Sequence, residues 1–486
     1  MQSLNHLLSA IAGQLQQGSL DHLIATIEFD SRKAKENTIF VCIVGSQANG
    51  HKYVAQAYSQ GCRVFVTQEK VELAADACVF EVLNTSLALA QLACTFFGNP
   101  SKDLKLIGVT GTNGKTTTAT LLHELFTTLG YKAGLLSTVV NKIEQEAIVS
   151  THTTPDPVSL NALLRQMVEV GCTHCFMEVS SHAIDQHRIG GLHFAAAGFT
   201  NITHDHLDYH HTFAAYLKVK KAFFDNLDST AFALVNADDK NGSVMLQNTK
   251  AQKRTYALRT PADYKGKIIE NSLGGLVLQI NGQEVHTRLV GAFNASNLLL
   301  VYGLAVGLGE APMEVLRVIS QLTHVAGRFQ YIKSAKGITA IIDYAHTPDA
   351  LENVLSTIAA FRKGSAKVLT VVGCGGDRDK EKRPKMAAIA AAKSNQLILT
   401  SDNPRSEDPA QILRDMEAGL DAASASTALS VVDRRQAIQM AIMLAQPGDI
   451  ILVAGKGHET YQEIQGVKTD FDDVAITQNL FNQLDK

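Results

Sequence analysis

Residues 108–118 read Gly-Val-Thr-Gly-Thr-Asn-Gly-Lys-Thr-Thr-Thr, and this stretch decides the fold of the middle of the chain. It follows the apolar run 104–109 and precedes a helical pattern over residues 116–129. A glycine-rich loop between a strand and a helix is the usual context of a phosphate site, because backbone N–H groups and the helix dipole both attract an anion. The order strand, loop, helix therefore predicts a site for a nucleoside triphosphate.

Two side chains of this loop have expected roles. Lys115 is expected to reach the terminal phosphates, and Thr116 to place its hydroxyl on Mg²⁺. The strict pattern G-x-x-x-x-G-K-[ST] requires glycine where Val109 stands, so the loop is a variant built around residues 111–116. A plain glycine turn that caps a helix is the alternative.

Length and composition exclude several function classes. A chain of 486 residues is too long for one core and suggests about three domains. The net charge of −3 gives no electrostatic case for nucleic acid or an anionic membrane. No apolar stretch reaches the about 18 residues of a membrane span, and residues 1–6 lack the features of a signal peptide, so the cytoplasm is the expected location.

The seven cysteines, an odd number, do not form a disulfide framework. Cys172 and Cys175 make a C-x-x-C within a turn that leads into a buried strand. A redox or zinc role needs partners that the sequence does not offer, so both are expected to be small buried hydrophobic residues.

Three blocks are predicted: 1–100, 101–330 and 331–486, with Asn99-Pro100-Ser101 as a linker. The predicted strands are 24–29, 38–43, 63–67 and 78–83, then 132–137, 174–179, 196–201 and 232–236, then 338–343, 367–372, 396–400, 429–432 and 449–453. Helical patterns alternate with them, which predicts an α/β fold with mostly parallel sheets. The tract 240–285 is expected to add antiparallel strands, and the third block resembles a doubly wound, Rossmann-like domain.

Polar residues are dense where the strands of the second block end. Glu178 suits a Mg²⁺ ligand, with a solvated carboxylate as the alternative. The histidine-rich stretch 201–211 matches no usual zinc spacing, so one histidine is expected to bind metal and the others to be structural. Lys220 and Lys221 lie on the predicted helix 215–227, whose charged face would ordinarily be solvated.

Four loops of the third block also follow strands: 343–349, 373–379, 402–405 and 455–459. Ligands bind beyond the carboxyl ends of the strands in open α/β sheets. The loops carry charges of both signs, which predicts recognition of a small zwitterion.

With these motifs in their order, the chain resembles the Mur ligase family over essentially its whole length. The motifs are 111–116, 178–182, 205–208, 291–297, 343–346 and 455–459, and Asp402-Asn-Pro-Arg405 resembles the motif of the branch that adds meso-diaminopimelate. The resemblance implies an N-terminal domain for a UDP moiety, a central ATPase domain and a C-terminal domain for an amino acid. It also implies that ATP phosphorylates the free carboxylate of UDP-MurNAc-L-Ala-D-Glu, and that the amine of diaminopimelate then attacks the acyl phosphate, in peptidoglycan precursor synthesis.

The resemblance further implies roles for individual residues. The expected ATP-binding residues are Gly111, Thr112, Asn113, Gly114, Lys115, Thr116, Thr117, Asn294, Asn297, Arg328, Asp343 and His346. The expected contacts to the UDP-MurNAc-dipeptide are Ser31, the loop 45–51, Thr153, Thr154, Ser180, Gln186 and Arg188. The expected Mg²⁺ ligands are Thr116, Glu178, His206 and a carbamylated Lys220, and catalysis is assigned to Lys115, Lys220, His206 and Glu178. The expected diaminopimelate contacts are Arg378, Asp402, Asn403, Arg405, Gly455 and Glu459. In the loop 45–51, Asn49 stands where relatives often have Asp. The expected assembly is a monomer.

Electrostatics favours diaminopimelate over lysine. Arg405 can bind the distal carboxylate through two parallel N–H bonds, and Glu459 can take the distal ammonium. A lysine substrate would leave the Arg405 guanidinium unpaired, which is costly for a buried charge. The rival hypotheses are a lysine-adding Mur ligase, an enzyme of the folylpolyglutamate synthase type and a P-loop switch or motor. The last leaves the four charged loops unexplained.

Overall fold

A computed structural model of the chain describes residues 1–45, 48–150, 152–362 and 364–486. The helices are Leu4–Leu8 (α1), Val54–Ser59 (α2), Thr85–Phe96 (α3), Lys115–Thr128 (α4), Pro157–Glu169 (α5), Ser181–Asp185 (α6), Leu207–His210 (α7), Phe213–Asp225 (α8), Gly242–Met245 (α9), Ala292–Gly307 (α10), Pro312–Ile319 (α11), Pro348–Phe361 (α12), Lys382–Lys393 (α13), Pro409–Glu417 (α14), Ala422–Thr427 (α15), Arg434–Leu444 (α16) and Asp473–Gln483 (α17).

The strands are Gln2–Ser3 (β1), Gly13–Gln17 (β2), Leu23–Ile24 (β3), Thr26–Glu28 (β4), Thr38–Val41 (β5), Val64–Thr67 (β6), Cys78–Val82 (β7), Lys105–Thr110 (β8), Ala133–Leu136 (β9), Asn141–Ile143 (β10), Glu146–Ile148 (β11), His174–Glu178 (β12), Ala196–Phe199 (β13), Phe232–Asn236 (β14), Gln252–Ala257 (β15), Tyr264–Ser272 (β16), Gly275–Ile280 (β17), Gln283–His286 (β18), Gln330–Lys333 (β19), Thr339–Asp343 (β20), Val368–Val372 (β21), Gln396–Thr400 (β22), Leu429–Val431 (β23), Ile450–Ala454 (β24), Tyr461–Ile464 (β25) and Val467–Asp470 (β26).

Three sheets organise the chain, as the alternation of strands and helices predicts. The first has the order β2-β7-β6-β5-β4, with only β2 antiparallel to its neighbour. The central sheet has the order β11-β10-β9-β12-β8-β13-β14-β15-β16-β17-β18. Within it, the seven neighbouring strands β9-β12-β8-β13-β14-β15-β16 run parallel. The third has the order β19-β20-β24-β21-β22-β23 and is parallel except at β19.

Apolar residues explain why the central strands are buried on both faces. Residues of β8 such as Ile107 and Val109 belong to one core with the apolar side of α4, and alternate residues such as Leu106 belong to a second core on the other face. A strand covered by helices on both sides reads as a continuous hydrophobic run, which is how residues 104–109 appear in the sequence. The predicted α/β fold with a central P-loop domain and a Rossmann-like C-terminal domain is confirmed.

The structure differs from the sequence expectations in two places. In the tract 240–285, β16 to β18 are antiparallel as predicted, but β15 extends the parallel sheet because it pairs with β14 in the same direction. The predicted linker forms a short 3-10 helix, Pro100–Lys102, in which the buried Ser101 hydroxyl accepts a hydrogen bond from the His193 N–H at 3.1 Å. The block boundaries 1–100, 101–330 and 331–486 stay a prediction.

The cysteines are all buried and free: Cys42, Cys62, Cys78, Cys94, Cys172, Cys175 and Cys374. This confirms the interpretation of Cys172 and Cys175 as buried apolar residues. Among the described residues, no helix has the length and apolar character needed to cross a membrane.

Candidate active site

A cavity of about 1040 Å³ lies between the central and C-terminal domains, and we call it the interdomain cavity. The sequence-predicted site residues that line it are Thr112, Asn113, Gly114, Lys115, Thr116, Thr117, Thr153, Thr154, Glu178, Ser180, Arg188, His206, Lys220, Asn297, Arg328, Asp343, His346, Arg378, Arg405 and Glu459. The predicted residues Gly111, Asn294, Gln186, Ser31, Asp402, Asn403 and Gly455 are not among its lining residues. Most of the predicted nucleotide and amino-acid contacts therefore face one space.

The phosphate loop connects β8 to α4 with two glycines at positive φ. Gly111 has φ of 149°, and a Cβ there would overlap the Thr200 hydroxyl. Gly114 has φ of 88° and directly precedes the first residue of α4. Only glycine adopts such angles without strain, so these two positions fix the path of the loop.

Lys115 is the first residue of α4, and its ammonium is folded back onto the loop. Its Nζ donates to the carbonyls of Gly111 at 2.9 Å and Thr112 at 2.8 Å. Burial lowers the pKa of Lys115. The cation therefore lies above the loop, where an anion held by the loop amides would meet it.

Glu178 ends β12 and is 1% exposed, which removes the alternative of a solvated carboxylate. Its Oε2 accepts a hydrogen bond from the Thr116 hydroxyl at 3.0 Å, and its Oε1 accepts one from the Thr138 N–H at 2.7 Å. Two oxygen donors from adjacent elements thus stand side by side at the phosphate loop. Oxygen ligands are those that Mg²⁺ prefers.

The histidine-rich stretch separates into different environments. His206 lines the interdomain cavity with its backbone at φ of 55°, and burial lowers its pKa, so the ring stays neutral and can act as a ligand. His210 is buried and shares a hydrogen bond of 2.9 Å with the Ser181 hydroxyl. Within the described residues, His, Cys, Asp and Glu side chains do not form a group of three that could hold a metal. A divalent cation here would need phosphate, water or other oxygen ligands in addition.

The structure distinguishes the two neighbouring lysines of α8. Lys220 is 1% exposed, and its Nζ lies 2.9 Å from the Gly111 carbonyl and 3.4 Å from the Thr110 hydroxyl. Burial, reinforced by Lys115, lowers its pKa well below the usual value. Lys221 instead forms an ion pair with Asp225 at 2.6 Å. The interpretation of this helix face as simply solvated is therefore wrong at Lys220.

The end of the cavity at the phosphate loop lies between the central and C-terminal domains. Asn297 lies against Gly114, and its amide donates to Asn294 Oδ1 at 3.1 Å. The Arg328 guanidinium donates to the Thr116 hydroxyl at 3.0 Å and stacks on the Tyr344 ring at 4.3 Å. A positive group from the junction of the two domains is thus placed beside the phosphate loop.

Asp343 and His346 follow β20 at the same junction. The Asp343 carboxylate accepts a hydrogen bond from the Phe329 N–H at 2.7 Å, and burial raises its pKa to about 6. His346 shares a hydrogen bond of 2.8 Å with the Tyr344 carbonyl, and burial lowers its pKa to about 4. Both residues lie where the C-terminal domain borders the phosphate loop.

The predicted dipeptide contacts form a network around Thr154. Its hydroxyl donates to the Glu178 carbonyl at 2.8 Å, and its carbonyl accepts from Arg188 NH1 at 2.7 Å. Gln186 Oε1 accepts from Arg188 NH2 at 2.8 Å, so Gln186 orients the guanidinium from behind. Thr153 accepts from the Thr138 hydroxyl at 3.0 Å. Arg188 Nε also donates to Gln186 Oε1, at 3.1 Å, so the Arg188 cation lines the cavity with all three of its nitrogens already engaged.

The predicted uridine site lies on the N-terminal domain. The Ser31 hydroxyl donates to Gln56 Oε1 at 2.9 Å. Asn49 Oδ1 accepts from the His51 N–H at 3.0 Å, and its amide donates to Glu69 at 3.0 Å. Residues 46 and 47 of the predicted loop 45–51 lie outside the described residues.

The charged loops of the C-terminal domain converge on Arg405 and Glu459. Arg405 has φ of 49°, and its NH1 donates to the Gly376 carbonyl at 2.8 Å. Glu459 accepts from the Asn403 amide at 2.7 Å, and burial, reinforced by Asp402, raises its pKa. The exposed Arg378 lines the same part of the cavity. A cation and an anion thus face one space, as recognition of a zwitterion requires.

Asp402, Asn403 and Gly455 lie behind this pair. Asn403 is 1% exposed. Gly455 has φ of 117°, and a Cβ there would overlap the Asp402 carboxylate. The glycine is required because β24 ends where the two loops approach each other.

Comparison with known proteins gives a family for this geometry. Residues 23–97 match the catalytic domain of the Mur ligase family, residues 109–305 the Mur ligase middle domain and residues 327–457 the Mur ligase glutamate ligase domain. The chain belongs to the Mur ligase family. The predicted resemblance is thereby confirmed.

Several relatives of this Mur ligase are named UDP-N-acetylmuramoyl-L-alanyl-D-glutamate--2,6-diaminopimelate ligase. The protein of Cytophaga hutchinsonii is 53% identical over 96% of this chain and 97% of its own. That of Parabacteroides distasonis is 53% identical over 99% of both chains. A solved structure of a ligase with the same name is 31% identical to this chain over 99% of both chains, with a TM-score of 0.70. The MurF ligase of Thermotoga maritima in complex with ADP shares the fold, with a TM-score of 0.61 at 16% identity.

Several residues of the site were not expected from the sequence of this Mur ligase. The Thr138 N–H holds Glu178, the Tyr216 hydroxyl lies 3.1 Å from that of Thr112, and Tyr344 carries Arg328. Tyr344 lies inside the motif 343–346 and so had a sequence signal. Thr138 and Tyr216 had none, because their role depends on how distant segments pack.

Proposed function

We propose that this Mur ligase uses ATP to join 2,6-diaminopimelate to the D-glutamate of UDP-MurNAc-L-Ala-D-Glu, the reaction of the MurE branch. Relatives at 50–53% identity carry that activity in their names, which confirms the sequence prediction against the lysine-adding alternative. The observation that carries the proposal is that the phosphate loop and the Arg405–Glu459 pair line one cavity.

The chemistry requires activation of a carboxylate, which is a poor electrophile at neutral pH. The γ-phosphoryl group of ATP is transferred to the D-glutamate carboxylate, giving ADP and an acyl phosphate. The amine of diaminopimelate attacks the acyl carbon, phosphate leaves with the C–O bond electrons, and the amine loses a proton as the amide forms. Positioning and charge stabilisation supply most of the rate, because two anions must approach each other.

Residues of this chain suit these steps. The loop 111–117 would hold the ATP phosphates through its amides, with Lys115 and Arg328 neutralising charge on either side. Asn294 and Asn297 would lie at the adenine, and Asp343 and His346 at the border between the domains. Thr153, Thr154, Ser180 and Arg188 would bind the dipeptide, and Ser31 the uridine part on the N-terminal domain.

Magnesium fits the oxygen donors at the phosphate loop. Thr116 and Glu178 would hold one ion beside the phosphates, and His206 would serve as a further ligand. The ion would supply neutralisation of the phosphate charge.

A carbamylated Lys220 would complete the metal ligands. A carbamate forms when a neutral amine attacks the carbon of CO₂ and releases a proton, so the depressed pKa of Lys220 favours the reaction. The product is carboxylate-like and would replace a cation by a metal ligand at the phosphate loop. That change suits a site where further oxygen donors are needed.

We infer that the protein acts in the cytoplasm as a monomer. The seven free cysteines suit a reducing compartment.

The direct test is phosphate release from ATP in the presence of UDP-MurNAc-L-Ala-D-Glu, with meso-diaminopimelate or L-lysine offered in parallel. Turnover that requires diaminopimelate supports both the ligase activity and the role of Arg405. Turnover with lysine would support the ligase activity but overturn the argument that Arg405 selects diaminopimelate. Phosphate release at a rate that does not depend on either amino acid would overturn the ligase proposal.

A further inference from the structure

Lys456 is a fully buried lysine behind the Arg405–Glu459 pair; it belongs to the loop 455–459, but neither the predicted contacts nor the proposed chemistry gives its side chain a role. Its side chain is 0% exposed. Its Nζ donates to Asn403 Oδ1 at 2.8 Å and to the Tyr461 carbonyl at 2.7 Å. Burying a lysine is costly unless its charge and donors are matched, so such a lysine calls for a specific reason.

The contacts of Lys456 lead in two steps to the cavity. Asn403 Oδ1 accepts from Lys456 and from the Glu463 N–H at 3.0 Å. With both lone pairs of its oxygen engaged, the amide cannot flip, and its Nδ2 is directed at Glu459 Oε2 at 2.7 Å. The Tyr344 hydroxyl approaches the other oxygen, Oε1, at 3.5 Å.

The same lysine connects the two halves of the amino-acid site. It holds the Tyr461 carbonyl at the start of β25, and β25 holds Arg405, whose N–H donates to the Glu463 carbonyl at 3.0 Å. One buried donor therefore fixes Asn403 and the start of the strand that positions the guanidinium.

We propose that Lys456 is a positioning residue that fixes Asn403, and through it the Glu459 carboxylate, for recognition of the distal ammonium of diaminopimelate. This inference rests on the proposed function. Lys456 Nζ lies 3.8 Å from Glu459 Oε2, which is beyond hydrogen-bond distance. Lys456 therefore acts mainly through the Asn403 amide rather than by binding the Glu459 carboxylate itself. The Glu459 carboxyl group thereby stays directed at the cavity, where the ligand ammonium would supply a counter-charge.

The test compares Lys456→Met, which keeps the length of the side chain and removes its donors, with the wild-type enzyme. We expect KM for diaminopimelate to rise about 10- to 100-fold, the range for lost hydrogen bonds to charged groups, while KM for ATP stays within about twofold. The control is Lys393→Met, which removes an ion pair with Glu352 on the outside of the same domain and should leave every constant unchanged.

A ligand analogue distinguishes positioning from general destabilisation. L-2-aminopimelate keeps the distal carboxylate and lacks the distal amine, so its inhibition constant should rise much less in Lys456→Met than KM for diaminopimelate does. Asn403→Ala should give the same selective loss, because it breaks the same connection. Equal losses for diaminopimelate and the analogue, or a joint loss of ATP affinity in both variants, would overturn the proposal. A wild-type enzyme that makes no amide would instead refute the proposed function.

Discussion

Substituting Arg405 by alanine isolates the recognition of the distal carboxylate. The backbone of Arg405 is held independently of its side chain, since its N–H donates to the Glu463 carbonyl at 3.0 Å and its carbonyl accepts from the Gln465 N–H at 2.7 Å. Arg405→Ala should therefore leave the loop in place and report the loss of the guanidinium alone.

The magnitude follows from the expected contacts. One guanidinium nitrogen is already engaged with the Gly376 carbonyl, so the remaining N–H groups are available to the ligand carboxylate. Two hydrogen bonds to a charged group at about 1.5 kcal/mol each give about 3 kcal/mol. That equals roughly 150-fold in kcat/KM for diaminopimelate.

The assay is phosphate release at saturating ATP and UDP-MurNAc-L-Ala-D-Glu, with diaminopimelate varied. Arg414→Ala is the matched control, because that arginine lies exposed on α14 beside Gln411 and outside the interdomain cavity. A loss below about threefold in Arg405→Ala, or an equal loss in KM for ATP, would refute the reasoning.

Two further predictions concern buried charged groups. In NMR spectra recorded with ¹³C-bicarbonate, wild type and Lys221→Ala should show a carbamate resonance that Lys220→Ala lacks. Lys220→Ala should also lose about 100-fold or more in kcat. A carbamate signal that persists in Lys220→Ala would contradict the assignment. Because burial raises the pKa of Asp343 to about 6, its charged form destabilises the folded state increasingly as pH rises from the unfolded pKa near 4 through 6. Asp343→Asn should accordingly gain about 1 kcal/mol relative to wild type between about pH 5 and pH 8 in urea unfolding, and a difference that does not change with pH would contradict this.

The sequence predicted the features that local pattern determines. The loop 108–118 carries its own glycines and lysine, and β14 and β22 have the predicted bounds because their apolar runs and flanking residues are clear. The convergence of Glu178 with the phosphate loop also followed, since parallel strands end at one edge of a sheet.

Features that depend on packing between distant segments were not predictable. The tract 240–285 has the polar composition of edge hairpins, yet β15 pairs in parallel because β14 presents a free edge there. The family resemblance selected Lys220 rather than Lys221, but the physical difference between the two lysines depends on packing, because only Lys220 lies on the side of α8 that faces the phosphate loop. The buried position of Asn403 likewise depends on Lys456 and Glu463, which approach from other loops.

The buried cysteines can report local opening of the folded chain through their reactivity. Cys42, Cys62 and Cys78 lie in cores of the N-terminal domain, Cys172 and Cys175 in a core of the central domain, and Cys374 in a core of the C-terminal domain. Burial raises the pKa of the Cys42 and Cys374 thiols to about 12, so the reactive thiolate is scarce while the core around each thiol stays folded. The rate at which each thiol is alkylated therefore measures how often its own core opens, domain by domain and without any introduced label.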